Sequence, residues 1–391
     1  MAGQPLEHGS RLGELAGLFL KLGAIGFGGP AAHIAMMEDE VVRRRNWVTR
    51  EEFLDLLGAC NLIPGPNSTE MALFLGQRRA GLGGLVVAGV SFILPAMLIV
   101  IACGWGYTRF GKLPEVTAIL YGVKPVIIAI VLQALWGLAR SAAKDKFLGI
   151  LMLIVAGLAL VSVHELILLF GAGTLAASVC TMGKKTERTM WFGLALPTLF
   201  GAAAPATASA AATATVPFGL WPLFTFFLKV GAVLYGSGYV LLAFLRSGLV
   251  ERFGWLTETQ LLDAIAVGQL TPGPVFTTAT FVGYLLGGFP AAIVATIGIF
   301  LPAFFFVAVS GRLLPLIRRS PIAGSFLDGV TAASCALMAV VTFQLAQTAL
   351  VDPLTWILAI GSAILLVRLR WNSVWLVLGG GGAGLVWSMM R

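Results

Sequence analysis

Eight apolar runs, each near the length that spans a bilayer, constrain this chain more than any other feature. They fall at 85–103, 117–139, 147–163, 164–182, 291–310, 327–349, 353–367 and 371–390. A membrane-spanning helix needs about 20 consecutive apolar residues. Of the 391 residues 58% are hydrophobic and 11% charged, against about 25% charged in a soluble domain. One core cannot hide that much apolar surface, so the expected class is an all-α integral membrane protein with lipid as its solvent. The first dozen residues are polar and no small-residue cleavage site follows a short apolar run, so the first apolar segment is expected to be retained. The formal charge of +8 reads as the basic bias of cytoplasmic loops, and no nucleic-acid partner is expected. Cys60, Cys103, Cys180 and Cys335 form no CxxC pair, and His8, His33 and His164 are scattered. Buried free thiols are expected, with no metal centre and no cofactor.

The chain repeats itself. At an offset of 208 residues, Phe19-Leu20-Lys21-Leu22-Gly23-Ala24 matches Phe227-Leu228-Lys229-Val230-Gly231-Ala232, and Trp47-Val48-Thr49 matches Trp255-Leu256-Thr257. Asp55 matches Asp263, and Pro64-Gly65-Pro66 matches Pro272-Gly273-Pro274. Positions 19–69 hold 18 identities in 51, where apolar composition alone gives about 4–5. At an offset of 207, Leu94-Pro95-Ala96 matches Leu301-Pro302-Ala303. The expected organisation is a first membrane repeat over 11–183, a linker over 184–217 that crosses the membrane once, and a second repeat over 218–391. Each repeat should hold about six apolar helical elements.

Loop charges give the repeats an orientation. The first half carries basic loops at Arg43-Arg44-Arg45 with Arg50, at Arg78-Arg79, at Arg140, Lys144 and Lys146, and at Lys184, Lys185 and Arg188. In the second half the bias swaps. The loops at 284–290 and 347–353 have no Lys or Arg, whereas Arg312, Arg318 and Arg319 fill the counterpart of the sparsely charged Arg109 loop. One orientation rule fits both halves only if the second is upside down. That needs an odd crossing between them, for which the uncharged stretch 191–221 serves.

Both repeats contain broken helices. The run from Gly28 and Gly29 to Pro30 is a poor helix interior, with Gly costing about 1 and Pro about 3 kcal/mol relative to Ala. Thr49 to Glu52 and Thr257 to Gln260 are capping boxes, so a short helix should start at each. Pro64-Gly65-Pro66 and Pro272-Gly273-Pro274 then interrupt, and a second short helix opens at Asn67-Ser68-Thr69. Re-entrant or broken backbone at membrane depth must face protein or a water-filled cavity, and helix N-termini favour anions. The expected anion-binding residues are therefore Lys21, Gly28, Gly29, Asn67, Ser68 and Thr69 in the first repeat, with Lys229, Gly236, Ser237, Thr277 and Thr278 in the second. Lys21 and Lys229 can equally snorkel to the interface. Lys124 lies in an apolar run and has Thr331 as its counterpart. Glu70 follows Asn-Ser-Thr and is the expected proton carrier. Asp55 and Asp263 are the other proton-coupling candidates, and Asp328 is expected to cap its span.

These elements resemble the chromate ion transporter family in its long two-domain form. The likeness is carried by Phe19-Leu20-Lys21-Leu22-Gly23, by Phe27-Gly28-Gly29-Pro30, by Ile63-Pro64-Gly65-Pro66 and Thr271-Pro272-Gly273-Pro274, and by the paired Leu-Pro-Ala. The resemblance implies a multi-pass bacterial inner-membrane exporter of chromate, with sulfate as a related anion, oppositely oriented halves and coupling to protons. The second half departs from the first at Tyr235-Gly236-Ser237-Gly238 and at Val275-Phe276, so the anion site need not be symmetric. The residues themselves reach an oxyanion transporter and leave chromate against sulfate open. A passive anion channel is the alternative. A membrane-embedded enzyme is less favoured, since it needs clustered carboxylates, histidines or a nucleophile and the 18 acids lie mostly in loops. Oligomeric state is open, a homodimer being one option. Inversion has a direct test. A cysteine placed in the 284–290 loop should react with an impermeant thiol reagent from the face opposite to one placed beside Arg78; reaction of both from one face would refute inverted halves.

Overall fold

The computed structural model describes residues 8–27, 29–111, 113–161, 163–182, 217–235, 240–318, 320–369 and 371–390. Among them every regular element is helical. The first half holds α1 (His8–Ile25), α2 (Gly29–Glu38), a π-helical turn (Asp39–Arg44), α3 (Arg50–Cys60), α4 (Asn67–Phe110), α5 (Pro114–Ala142), α6 (Lys146–Leu160) and α7 (Glu165–Met182). The second holds α8 (Leu220–Val233), α9 (Leu241–Leu245), a second π-helical turn (Arg246–Arg252) and α10 (Glu258–Leu270). A 3-10 turn (Val275–Thr277) then leads into α11 (Thr278–Arg318), α12 (Pro321–Ala349), α13 (Pro353–Arg368) and α14 (Ser373–Met389). Four segments, 67–110, 114–142, 275–310 and 321–349, are long and apolar enough to cross a membrane. Most of 191–221, with Gly28, Gly236 and Ser237, lies outside the described residues.

The two capping boxes fold as the sequence dictates. Thr49 Oγ1 accepts from the Glu52 N–H and Glu52 returns the bond to the Thr49 N–H, each at 3.1 Å. Thr257 and Gln260 do the same at 3.2 and 2.9 Å. The helices that follow, α3 with 11 residues and α10 with 13, reach only about 16–20 Å at 1.5 Å per residue. That is well short of the ~30 Å hydrocarbon core. Each ends at its Pro-Gly-Pro, where Gly65 (φ 143°) and Gly273 (φ 91°) take a backbone conformation that L side chains resist.

The long α4 is a hairpin, not a rod. Ala80 and Gly81 leave helical geometry, and the helix folds back as arms 67–79 and 82–110. A Cβ on Gly76 would lie 2.3 Å from the Gly84 carbonyl, whereas residues eight apart in a straight helix stand about 12 Å apart. In α11 the turn falls at Gly287 and Gly288, and Gly283 meets the Ala291 carbonyl in the same way. The hairpin and the separate α2 raise each half above the six elements read from the sequence.

The halves interlock. Helix α5 packs on α12, α13 and α14, and its repeat counterpart α12 packs on α5, α6 and α7. The contacts are reciprocal in detail. A Cβ on Gly122 would sit 2.0 Å from the Gly380 carbonyl, and one on Gly329, its counterpart, 2.5 Å from the carbonyl of Ala172. Small residues permit such backbone approach in a membrane. Tyr121, near the start of α5, bonds Asp352 just beyond the end of α12. Lys144, just beyond the end of α5, bonds Asp328 near the start of α12 at 2.6 Å. The two contacts join opposite ends of the counterpart helices, and they make α5 and α12 antiparallel. Asp328 is therefore an ion-pair partner and not a cap; Ser320 caps α12. Cys60 and Cys335 are buried, while Cys103 and Cys180 are half-exposed, against the expectation that all four are buried. Because the interlock depends on backbone contact, Gly122→Val should destabilise the folded protein by about 1–3 kcal/mol or more, read as an earlier melt in detergent. Gly157→Val, on α6 with nothing within 4 Å, should not. Equal melts would show that the close approach is dispensable.

Candidate functional site

The breaks of one repeat are closed by the other. The Gly65 N–H donates to the Leu234 carbonyl at 2.9 Å, and the Gly273 N–H donates to the Gly26 carbonyl at 2.7 Å. Leu234 is the repeat counterpart of Gly26, so these two bonds are one contact made twice. Helices α1 and α8 end at these carbonyls. Polar backbone freed by a break costs several kcal/mol if left to lipid; here each freed carbonyl finds the facing Pro-Gly-Pro. The Gly26 carbonyl also lies 2.8 Å from His33 Nε2. His33 is buried and edge-on to Phe92, a role its isolated position in the sequence did not announce.

Glu70 sits at this crossing. It is wholly buried in the first turn of α4, and among the described residues neither carboxyl oxygen has a hydrogen-bond partner. The carboxyl curls back over the break, where a Cβ on Gly65 would lie 2.4 Å from Glu70 Oε1. It thus fills the space in front of the helix N-terminus. Ser68 and Thr69 are buried beside it, and Thr69 Oγ1 has no partner among the described residues. Asn67 donates to Asn61 Oδ1 at 2.9 Å and ties α3 to α4 across the break. In the second repeat, Thr277 and Thr278 turn their hydroxyls onto the Pro274 and Val275 carbonyls, each at 2.8 Å. Pro30 and Gly29 open α2, and Pro66 stands before the first residue of α4, so these prolines occupy the start of a helix where their missing N–H is harmless.

A second polar cluster joins the halves. Asp263 on α10 is buried, 3.2 Å from Lys124 Nζ on α5, and accepts from the Tyr107 hydroxyl of α4 at 2.8 Å. Nothing in the sequence links Lys124 to Asp263; the fold makes them a pair. Asp55, the counterpart of Asp263, is exposed. Neither Tyr107 nor the pairing was visible in the repeat, because Lys124 has no basic counterpart.

The two repeat lysines diverge. Lys21 donates to Glu40 at 2.8 Å, and Arg44 and Arg45 meet the same carboxylate. The Lys21 hydrogen bond holds the Glu40 carboxyl below its ordinary range. Lys229 instead faces a cavity of about 650 Å³, lined also by Arg246, Arg252, Glu165 and Glu251. Glu40 escaped the sequence reading because it has no acidic counterpart.

Two interlocked halves, helices broken at matched points and buried ionisable side chains are the marks of a polytopic membrane protein of the transporter class. The chain matches the family described as Chromate transporter over residues 13–214 and 221–385. It is 34% identical to a chromate transport protein of Cupriavidus metallidurans, covering 92% of this chain and 88% of that one. It is 34% identical to a probable chromate transport protein of Synechococcus elongatus, covering 89% and 88%, and 31% identical to a chromate transport protein of Pseudomonas aeruginosa, covering 95% and 91%. No solved structure matches the chain. The chain belongs to the chromate transporter family and is a multi-pass membrane protein.

The Lys124–Asp263 pair gives a prediction about stability. Removing one partner strands a buried charge, at about 3–5 kcal/mol, whereas replacing both can be near neutral. Lys124→Met and Asp263→Leu should each lower the melting point in detergent, and the double variant should recover most of the loss. Strictly additive losses would show that the two charges do not stabilise each other.

Proposed function

We propose that the chain exports chromate out of the cytoplasm across a bacterial inner membrane with coupling to the proton gradient, and with sulfate as a related substrate. The substrate follows from the family and from the named activity of its relatives. The observation that carries the mechanism is the buried Glu70 carboxyl, without a hydrogen-bond partner among the described residues, at the crossing of the breaks. An isolated carboxylate buried this way is far more costly than the neutral acid. Glu70 is therefore the group at this site suited to take up a proton. The N-terminus of α4 in front of it is a place that favours an anion. An ionised Glu70 and a tetrahedral dianion repel each other there, so anion binding goes with a proton on Glu70 and anion release with its loss. That linkage ties anion movement to proton movement, which is what a proton-coupled carrier requires. Ser68, Thr69 and Asn67 stand nearby as hydroxyl and amide donors, and Asp263, held by Lys124 and Tyr107, is a less available proton carrier.

Inverted halves give such a carrier two equivalent faces. The swap in loop charge supports inversion, and so does the antiparallel run of the counterpart helices α5 and α12. The test is uptake of labelled chromate into everted membrane vesicles with and without an imposed pH gradient. The parent should accumulate chromate when the gradient is imposed. Glu70→Gln keeps size and polarity but cannot titrate. It should still exchange chromate for chromate, with gradient-driven accumulation reduced to the level seen without a gradient. Undiminished accumulation by Glu70→Gln would remove Glu70 from coupling, and gradient-insensitive flux in the parent would mark a passive channel.

A further inference from the structure

In the first repeat the π-helical turn carries Asp39, Glu40 and Arg44. Arg44 meets Asp39 at 2.8 Å and Glu40 at 3.5 Å, and Lys21 meets Glu40 at 2.8 Å. Two cations are thus closed by two carboxylates of the same segment. The second repeat keeps both cations, as Lys229 and Arg252, and loses both acids, which become Ser247 and Gly248. All four of these residues line the 650 Å³ cavity. Among the described residues no acid lies within ion-pair distance of Lys229 or Arg252. The other charges facing the cavity are engaged elsewhere. Arg246 is bonded to Glu251 and, at 2.7 Å, to Glu258. Glu165 acts on Lys229 only at longer range and stands 3.7 Å from His164.

We infer that this cavity is a binding site for a small tetrahedral dianion, held between Lys229 and Arg252 in the place that the Asp39 and Glu40 carboxylates fill in the first repeat. The first repeat carries its own anion and the second borrows one. The same asymmetry recurs at the breaks, where Glu70 has Thr278 as its counterpart. Ser247, on the cavity wall, supplies a hydroxyl to an oxyanion oxygen. The lining of the site shares no residue with the Glu70 crossing, and the inference rests on and deepens the transport reading by giving the anion a second holding place. Lys21, already satisfied by Glu40, takes no part in it.

Two measurements on the purified full chain test this apart from transport. The first is equilibrium binding of labelled sulfate at low ionic strength, with unlabelled chromate as competitor. Lys229→Gln and Arg252→Gln should each weaken sulfate binding roughly tenfold or more, the loss of one charged hydrogen bond. Lys21→Gln should leave it unchanged. The second needs no loss of charge. In Ser247→Cys, sulfate or chromate should slow modification of the introduced thiol roughly threefold or more over the parent background, and chloride at equal ionic strength should not. Sulfate binding unchanged in the Lys229 and Arg252 variants, or an introduced thiol modified equally fast with and without sulfate, overturns the site while leaving chromate export standing. Protection of the thiol in a protein that moves no chromate would sustain the site and remove the transport reading alone.

Discussion

The architecture depends on one hydrogen bond made twice. Gly65 and Gly273, each in a Pro-Gly-Pro, donate to the carbonyls of Leu234 and Gly26 in the opposite repeat. Without that exchange, the breaks after α1 and α8 and those after α3 and α10 would leave polar backbone facing apolar side chains. With it, neither repeat is complete alone, and the weakest backbone of each half is held at the molecule's centre. Glycine is required at these two positions for two reasons. The backbone is left-handed, and the neighbour is too near for a Cβ: Glu70 in one case, Ala96 in the other.

A symmetric frame carries asymmetric chemistry. The backbone devices occur in both halves: capping boxes, Pro-Gly-Pro breaks, hairpin turns and glycine approaches. The charges do not. Glu40, Glu70 and Lys124 have Gly248, Thr278 and Thr331 as counterparts, and of the Asp55–Asp263 pair only Asp263 is buried. Duplication explains the frame; several side chains that hold and release charge stand in one copy and not in the other.

Much of this was legible before any coordinate. Local signals fixed both starts of the short helices, because a capping box is an interaction between residues three apart, written in neighbouring letters. The breaks were legible because Pro and Gly act on their own backbone. The hairpin fold of α4 was less so: the turn at Ala80-Gly81 looks like an ordinary loop, and only the contact of Gly76 with Gly84 shows how tightly the arms close. Charge pairing was the least legible. Lys124 and Asp263 lie 139 residues apart in sequence and in different repeats, so no periodicity connects them. Lys21 and Lys229 stand out as a matched pair, whereas Glu40, whose absence from the second copy separates them, has no match to mark it.

The reciprocal packing of α5 and α12 bears on how the protein is made. The glycine face of α5 is complementary to α14, which is synthesised more than two hundred residues later. Until the ribosome has delivered α14, α5 must wait in the bilayer with lipid against the groove that Gly380 and Gly384 will fill. Helix α12, by contrast, emerges after its partners α6 and α7 and can dock at once. Assembly is therefore ordered in time: the second half templates on the first, and the arrival of α14 completes the packing of α5.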